Sequence, residues 1–121
     1  MIQEFKQNGI RTSIFVDPNP KQIEAAQYTG TDRVELYTEA YAEKYAQGNK
    51  NGILPYMECA KVAQDIGIGL NAGHDLSLEN IRFFKENIPG LDEVSIGHAL
   101  IAESLYQGLE TVIKKYLQLL K

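Results

Sequence analysis

The chain has 121 residues, of which 44% are hydrophobic, so it is long and apolar enough to fold as one domain, and intrinsic disorder is excluded. Its formal net charge of −4, without any basic run, argues against nucleic acid as a partner, and a phosphate ligand would have to be held locally by backbone N–H groups at a helix N-terminus. The single cysteine, Cys59, excludes an internal disulfide and a cysteine-based zinc site, and its apolar helical surroundings favour a buried structural thiol.

In chain order, the first residues predict the end of a helix, because Ile2 and Phe5 have i, i+3 spacing and Asn8-Gly9 is typical of a C-cap. After it, the chain repeats a β-prone run, turn residues and a helical pattern four times, which is typical of βα units on a parallel sheet. The predicted strands lie near residues 12–16, 33–37, 68–72 and 93–97.

The first strand is followed by a helix that Asn19 caps and Pro20 begins, with Ile23 and Ala26 facing inward. The second strand leads into a long polar loop, predicted from Thr38 to Gly52. Pro55 then opens a helix that should end near Gly67. Its predicted buried face is formed by Tyr56, Cys59, Ala60 and Ala63.

After the third strand, Ser77 is expected to cap a helix, with Leu76 and Ile81 forming a hydrophobic staple around the cap. Pro89-Gly90 should stop that helix. Two further helices follow the fourth strand, a short one from about Leu100 to Gln107 and a longer one from Leu109 to Leu120. A helix end followed by four βα units predicts half of a (β/α)₈ TIM barrel, whose whole length is typically about 250 residues.

No secretory signal precedes the first periodic segment, and the longest apolar stretch is well short of the roughly 20 residues that a membrane-spanning helix needs. We therefore expect a cytoplasmic protein without a membrane segment.

Reactive groups in parallel α/β folds lie at the C-terminal ends of the strands. The end of the first strand, Asp17-Pro18-Asn19-Pro20, is explained as a turn and a helix cap. Glu35 lies within an apolar strand, where a carboxylate needs a partner or a shifted pKa. Two interpretations stay open for it, because it either faces outward and pairs with a lysine or belongs to a site.

The third strand ends in Asn71-Ala72-Gly73-His74, where small residues let backbone approach a ligand and where histidine is the residue type suited to proton transfer near neutral pH. His74 is thus a candidate general acid or base, the alternative being a hydrogen-bonded structural histidine. The fourth strand ends in Gly97-His98 before a short helix, which is typical of a barrel phosphate site but also of a tight turn. His74, His98 and Glu35 have no spacing typical of metal ligands, so no metal is predicted.

Four ordered runs at these strand ends resemble the pyridoxine 5′-phosphate synthase family, and together they span nearly all of the chain. They are residues 13–17 (SIFVD), 34–38 (VELYT) with Tyr41-Ala42, 69–76 (GLNAGHDL) and 95–101 (SIGHALI). The resemblance implies the C-terminal half of a single TIM-barrel domain over residues 1–121. It also implies condensation of 1-deoxy-D-xylulose 5-phosphate with 3-amino-2-oxopropyl phosphate, without a cofactor or metal.

The resemblance also implies residue roles. His74 would be the catalytic proton donor and Glu35 a carboxylate that stabilises a charged intermediate. Asp75, Gly97 and His98 would bind the aminooxopropyl phosphate, with Asn71 and Gly73 supporting these groups from beneath. The segment 38–52 is in a position to cover the site, as its length and composition suggest.

The chain departs from the family at two positions and in one larger respect. Position 75 is often glycine in the family and is Asp75 here, and Tyr37 stands where histidine is expected. The family's other essential histidine, a glutamate and its arginines come from the first four strands of the barrel. This chain alone should therefore be nearly inactive. We expect it to pair with an N-terminal half-barrel or to self-associate, and the full enzyme to be a homo-oligomer, an octamer by resemblance.

Two other interpretations compete. A non-catalytic, flavodoxin-like phosphate- or nucleotide-binding module suits the length, but four strands are one too few and the glycine-rich fingerprint after the first strand is missing. The second interpretation is a barrel aldolase or epimerase that acts on another phosphorylated substrate. An aldolase needs a Schiff-base lysine at a strand end, and none of Lys6, Lys21, Lys61 or Lys85 has that position.

Overall fold

Four strands and seven α-helices alternate along residues 1–121, all of which the computed structural model describes. The strands are β1 (Ser13–Val16), β2 (Arg33–Tyr37), β3 (Gly69–Gly73) and β4 (Leu91–Ser95). The helices are α1 (Ile2–Gln7), α2 (Pro20–Gln27), α3 (Glu39–Ala46), α4 (Leu54–Ile66), α5 (Ile81–Asn87), α6 (His98–Gln107) and α7 (Leu109–Leu119), and a 3₁₀ turn, Lys50–Ile53, precedes α4. All four strands lie within two residues of their predicted positions.

The sheet is parallel throughout, and its strands lie side by side in chain order, β1-β2-β3-β4. Right-handed crossovers that always step in the same direction place their helices on the same face of the sheet. The prediction of a (βα)₄ half-barrel is therefore confirmed. A flavodoxin-like, doubly wound sheet would instead reverse its strand order and carry helices on both faces.

The helix-covered face of the sheet forms the apolar core. Val34, Leu36 and Ala72 have no exposed surface, and they belong to a cluster of 17 buried residues that includes the inward faces of α2, α4 and α5. Full burial of a valine or leucine side chain, such as Val34 or Leu36, contributes about 1.5–3 kcal/mol to stability. Cys59 is buried in this cluster, as predicted, and burial raises the pKa of its thiol to about 11.

The opposite face of the sheet is polar from the start to the middle of the strands. Arg33 donates from Nη1 to Asn71 Oδ1 at 2.9 Å, and Asn71 donates from Nδ2 to Glu93 Oε2 at 3.2 Å. Arg11 also donates to both carboxylate oxygens of Glu93, at 2.8 Å each. The charged and amide groups on this face are thus hydrogen-bonded to one another. We call these four residues, Arg11, Arg33, Asn71 and Glu93, the polar network.

The predicted loop from Thr38 to Gly52 is wrong, because this segment contains α3 and the 3₁₀ turn. Tyr41 and Tyr45 lie one helical turn apart, and the Tyr41 ring packs against Phe84 with centroids 4.9 Å apart, while Tyr45 packs against Phe83 at 5.7 Å. Two tyrosines among many polar residues are enough to bury one side of a short helix, although they give a weak hydrophobic period.

Three smaller boundaries also differ from prediction. Helix α5 begins at Ile81 rather than just after Ser77, whose hydroxyl instead accepts from the Glu79 N–H in the preceding turn. Leu76 and Ile81 belong to separate apolar clusters, so the predicted staple is not formed. Strand β4 begins earlier, at Leu91, which pairs with Leu70 ahead of an irregularity in the register, and α6 begins at His98 rather than Leu100.

None of the helices combines the length and the apolar character that crossing a membrane requires.

Asp32 joins the starts of β1 and β2 and provides a pH-dependent test of the fold. Its Oδ2 accepts from the Thr12 backbone N–H at 2.8 Å, and its Oδ1 lies 3.0 Å from Lys6 Nζ. The Thr12 N–H, together with Lys6, lowers the pKa of the Asp32 carboxyl from 3.8 to about 2.

Because the folded-state pKa lies below the unfolded value, this carboxylate stabilises the fold above pH 4 or so and loses that effect as the pH falls toward about 2. Asp32→Asn should therefore lower the free energy of unfolding near neutral pH, and the difference from the parent should shrink across this acid range. Urea unfolding at several pH values measures it, with exposed Asp65→Asn as the control. A difference that is independent of pH would contradict this assignment.

Candidate active site

The ends of the strands meet at an open pocket of about 880 Å³. A volume of this size is suited to small-molecule ligands. The pocket is lined by Phe15, Glu35, His74, Asp75, Ser95, Ile96, Gly97, His98, Leu100, Ile101, Ala102 and Leu105. The lining combines an apolar wall, two carboxylates, two imidazoles and the beginning of α6.

The backbone at the end of β3 is held in an uncommon conformation. His74 and Asp75 have φ values of 85° and 57°, the only non-glycine residues with positive φ. Such a conformation costs on the order of 1–3 kcal/mol per residue and persists only where the surroundings enforce it. A strained backbone beside a pocket is a common property of functional sites.

Thr38 supplies the first restraint on this turn. Its backbone N–H donates to the Gly73 carbonyl at 2.9 Å, and its hydroxyl lies within hydrogen-bond distance of the Gly73 and His74 carbonyls, sharing one proton between them. Thr38 also occupies the N-cap position of α3 but makes no side-chain cap bond there. The hydroxyl that would ordinarily cap the helix therefore restrains the His74 backbone instead.

Asn80 supplies the second restraint. Its Nδ2 donates to the Asp75 carbonyl at 3.1 Å, and its Oδ1 accepts from the Ser77 N–H at 2.9 Å. The buried Tyr41 hydroxyl donates to the Asn80 carbonyl at 2.7 Å, which ties this turn to α3. The loop after β3 is thus bonded to the core at both ends.

The His74 ring is oriented by two neighbours. Tyr37 packs against it edge to face, with centroids 4.8 Å apart, and Asp75 Oδ2 lies 3.0 Å from His74 Nδ1. The Tyr37 hydroxyl in turn donates to Glu39, and this hydrogen bond is the main reason why the pKa of Tyr37 rises to about 12. Tyr37 is consequently a neutral aromatic support for the imidazole at physiological pH.

Glu35 faces the pocket and makes no hydrogen bond or ion pair with any lysine of the chain. The interpretation that Glu35 faces outward and pairs with a lysine is therefore wrong. Its carboxylate lies across Gly73, since a Cβ built on Gly73 would be 2.3 Å from Glu35 Oε1 and 2.9 Å from Ser95 Cβ. Glycine at position 73 leaves the room that the Glu35 carboxylate occupies, one residue before His74.

Helix α6 presents its N-terminus to the pocket. Gly97 is its N-cap and provides no side-chain acceptor, so the first N–H groups of the helix remain free for a ligand, and the space over Gly97 is open. Glu103 holds this helix in place, because its carboxylate accepts from the Leu78 N–H at 3.2 Å and from the Tyr116 hydroxyl at 2.6 Å.

The structure therefore brings together five of the seven residues named from the sequence, which are His74, Glu35, Asp75, Gly97 and His98. Gly73 lies beneath Glu35, whereas Asn71 belongs to the polar network and bonds to Arg33 and Glu93. The aldolase interpretation would require a lysine in the pocket, and no lysine lines it. No three His, Cys, Asp or Glu side chains are grouped so that they could hold a metal ion.

Sequence reasoning missed the residues that hold the site in shape: Thr38, Asn80, Glu103 and, as an aromatic support, Tyr37. Thr38 had a usable signal, because a hydroxyl directly after a strand end in a parallel sheet lies next to the end of the neighbouring strand. Asn80 and Glu103 act through partners distant in sequence, and no local pattern marks them.

The family model described as "Pyridoxal phosphate biosynthesis protein PdxJ" matches residues 1–121. Proteins named pyridoxine 5′-phosphate synthase from Christiangramia forsetii and Flavobacterium johnsoniae are 65% and 66% identical to this chain over 121 residues. A protein of the same name from Bacteroides fragilis is 56% identical over 116 residues, which is 96% of this chain. These alignments cover 51%, 51% and 49% of the three relatives, so the chain spans about half the length of the curated relatives it matches.

The restraint by Thr38 can be tested with a pair of substitutions. Thr38→Val keeps the shape of the side chain but leaves the partly buried His74 carbonyl without its hydroxyl donor, so it should lower the free energy of unfolding by about 1–3 kcal/mol. Thr38→Ser keeps the hydroxyl and loses one methyl group, which costs about 1 kcal/mol. Amide hydrogen exchange at residues 74–80 should accelerate in the valine variant and stay near the parent rate in the serine variant. Equal exchange rates in both variants would show that the hydroxyl does not restrain the turn.

Proposed function

The chain belongs to the pyridoxal phosphate biosynthesis protein PdxJ family, and on that premise we propose that it supplies the C-terminal (βα)₄ half of a pyridoxine 5′-phosphate synthase. The reaction would condense 1-deoxy-D-xylulose 5-phosphate with 3-amino-2-oxopropyl phosphate, giving pyridoxine 5′-phosphate, phosphate and water. The observation that carries this proposal is the strained His74 backbone, which holds an imidazole in the same pocket as the Glu35 carboxylate and the N-terminus of α6.

The beginning of α6 would bind a substrate phosphate. A helix N-terminus carries roughly half a positive charge and offers unpaired N–H groups, which together form an anion site. No arginine or lysine lines this pocket, so the N-terminus of α6 is the main source of positive potential that this chain contributes there. The carboxylate of Asp75 is turned to His74 Nδ1, so the side chain that would repel a phosphate already has a partner.

His74 would act as a general acid in the ring-forming steps. Condensation of an amine with a ketone and the later loss of water both require a proton delivered to a departing oxygen, and a positioned imidazole supplies it near neutral pH. Glu35 would stabilise the positive charge that develops on nitrogen, because its carboxylate has no cation of this chain to neutralise it. Phe15, Ile101 and Leu105 form the apolar wall that would exclude water from these charges.

The remaining half of the barrel would correspond to the part of the relatives that this chain does not match. The face of the sheet opposite the helices is open here, and Phe15 in it is 55% exposed, as expected for a surface that another half-barrel covers. We propose that an N-terminal half supplies four more strands and the groups for the second substrate. Assembly into a homo-oligomer and a location in the cytoplasm complete the proposal, as the family resemblance suggests.

The role of His74 is tested by His74→Asn in the complete enzyme. Asparagine tolerates positive φ, so the turn should keep its conformation while the proton donor is lost. Turnover should fall by roughly 10²–10⁴-fold with little change in KM. Steady-state kinetics measure both constants, and an unchanged thermal unfolding midpoint controls for the fold. Near-normal turnover would remove His74 from the mechanism.

The role of Glu35 can be tested by comparing its substitution with that of a glutamate on the outer surface. Glu35→Gln removes the charge but keeps the shape, and kcat should fall at least tenfold if the carboxylate stabilises a cationic intermediate. Glu24→Gln removes an exposed carboxylate from α2 and should leave kcat unchanged. Equal kcat values for both variants would contradict a role for Glu35 in the reaction.

A further inference from the structure

We propose that the Asp75 carboxylate is a positioning residue that fixes the tautomer of His74, so that proton transfer to the substrate takes place from Nε2. This inference rests on the proposed function only for its consequence in turnover, because the tautomer itself can be observed without activity.

The geometry of the contact determines which nitrogen carries the proton. Asp75 Oδ2 lies 3.0 Å from His74 Nδ1, and an ionised carboxylate can only accept hydrogen bonds. A hydrogen bond at this distance therefore requires a proton on Nδ1. In the neutral ring, Nε2 then bears the lone pair, and in the protonated ring, the Nε2 proton is the one available for transfer.

The backbone explains why these two adjacent side chains stay together. Both residues have positive φ, and aspartate accepts this conformation better than most non-glycine residues. The Asp75 carbonyl is held by Asn80 Nδ2 at 3.1 Å, so the α-carbon that carries the carboxylate is fixed relative to the loop. The imidazole also packs against the Tyr37 ring.

Both side chains remain partly exposed, at 46% for His74 and 40% for Asp75. A contact between two such exposed side chains contributes little to stability, so it is better explained by orientation of the ring than by folding energy. The same exposure leaves the ring open to the pocket, which both residues line. In catalytic triads on other folds, a carboxylate with the same role sets the tautomer of a histidine, and its loss reduces turnover through the wrong tautomer.

Two substitutions separate the carboxylate from the backbone. Asp75→Gly removes the carboxylate but suits positive φ, so the thermal unfolding midpoint should stay equal or rise. Asp75→Asn keeps the shape and can either accept from Nδ1 or donate to it, so it should allow both tautomers.

The experiment is two-bond ¹H–¹⁵N NMR correlation of the histidine ring nitrogens in the complete protein, above the usual titration range of histidine. His74 signals are assigned by their loss in His74→Asn, and the signals of His98 serve as an internal reference. The parent should show His74 protonated on Nδ1, Asp75→Asn a mixture, and Asp75→Gly mainly the Nε2–H form that free imidazoles favour in water. In parallel, kcat of Asp75→Gly should fall roughly tenfold while its KM changes little.

A parent His74 protonated on Nε2, or a tautomer unchanged in Asp75→Gly, would overturn the proposal. So would a normal kcat in a glycine variant whose tautomer has changed. Failure of the proposed synthase would look different, because the complete parent protein would then show no synthase turnover, whatever the ring nitrogens show.

Discussion

The hydrogen bonds from Thr38 to the end of β3 hold two neighbouring strand ends together, and the site is built around them. In a parallel sheet, the residue after β2 lies beside the last residue of β3, so the Thr38 N–H meets the Gly73 carbonyl. The hydroxyl then restrains the His74 carbonyl, and Asn80 closes the turn. Strain at His74 and Asp75 persists because these hydrogen bonds, which buried Thr38 and Asn80 donate, oppose it.

The two faces of the sheet serve different purposes. The helix-covered face provides the hydrophobic stabilisation through residues such as Val34 and Leu36, which alternate along β2 with Arg33, Glu35 and Tyr37. The other face changes along the strands, from the polar network in their first part to the pocket at their ends. Asn71 lies at the middle of β3 and bonds to Arg33 and Glu93 in the polar network.

Features that depend on local interactions could be predicted from the sequence, whereas features that depend on residues far apart in the sequence could not. Strand β2 was placed correctly because its apolar residues alternate in a simple pattern. His74 was correctly placed at the end of β3, where it lines the pocket, because the position of a residue at a strand end is a local property. Helix α3 was missed because only Tyr41 and Tyr45 mark its buried side, and they depend on Phe83 and Phe84 far along the chain. The positive φ of His74 likewise depends on a partner distant in sequence, the Thr38 hydroxyl, so the residue type at position 74 does not predict that conformation.

The most direct test of this account is a crystal structure of the complete protein with inorganic phosphate bound. We expect a phosphate at the N-terminus of α6, accepting hydrogen bonds from the N–H groups that follow Gly97, with the His74 imidazole facing it across the pocket and Glu35 beside Gly73. A phosphate bound elsewhere, with His74 turned away from an empty α6 N-terminus, would contradict the assignment of this pocket as the active site.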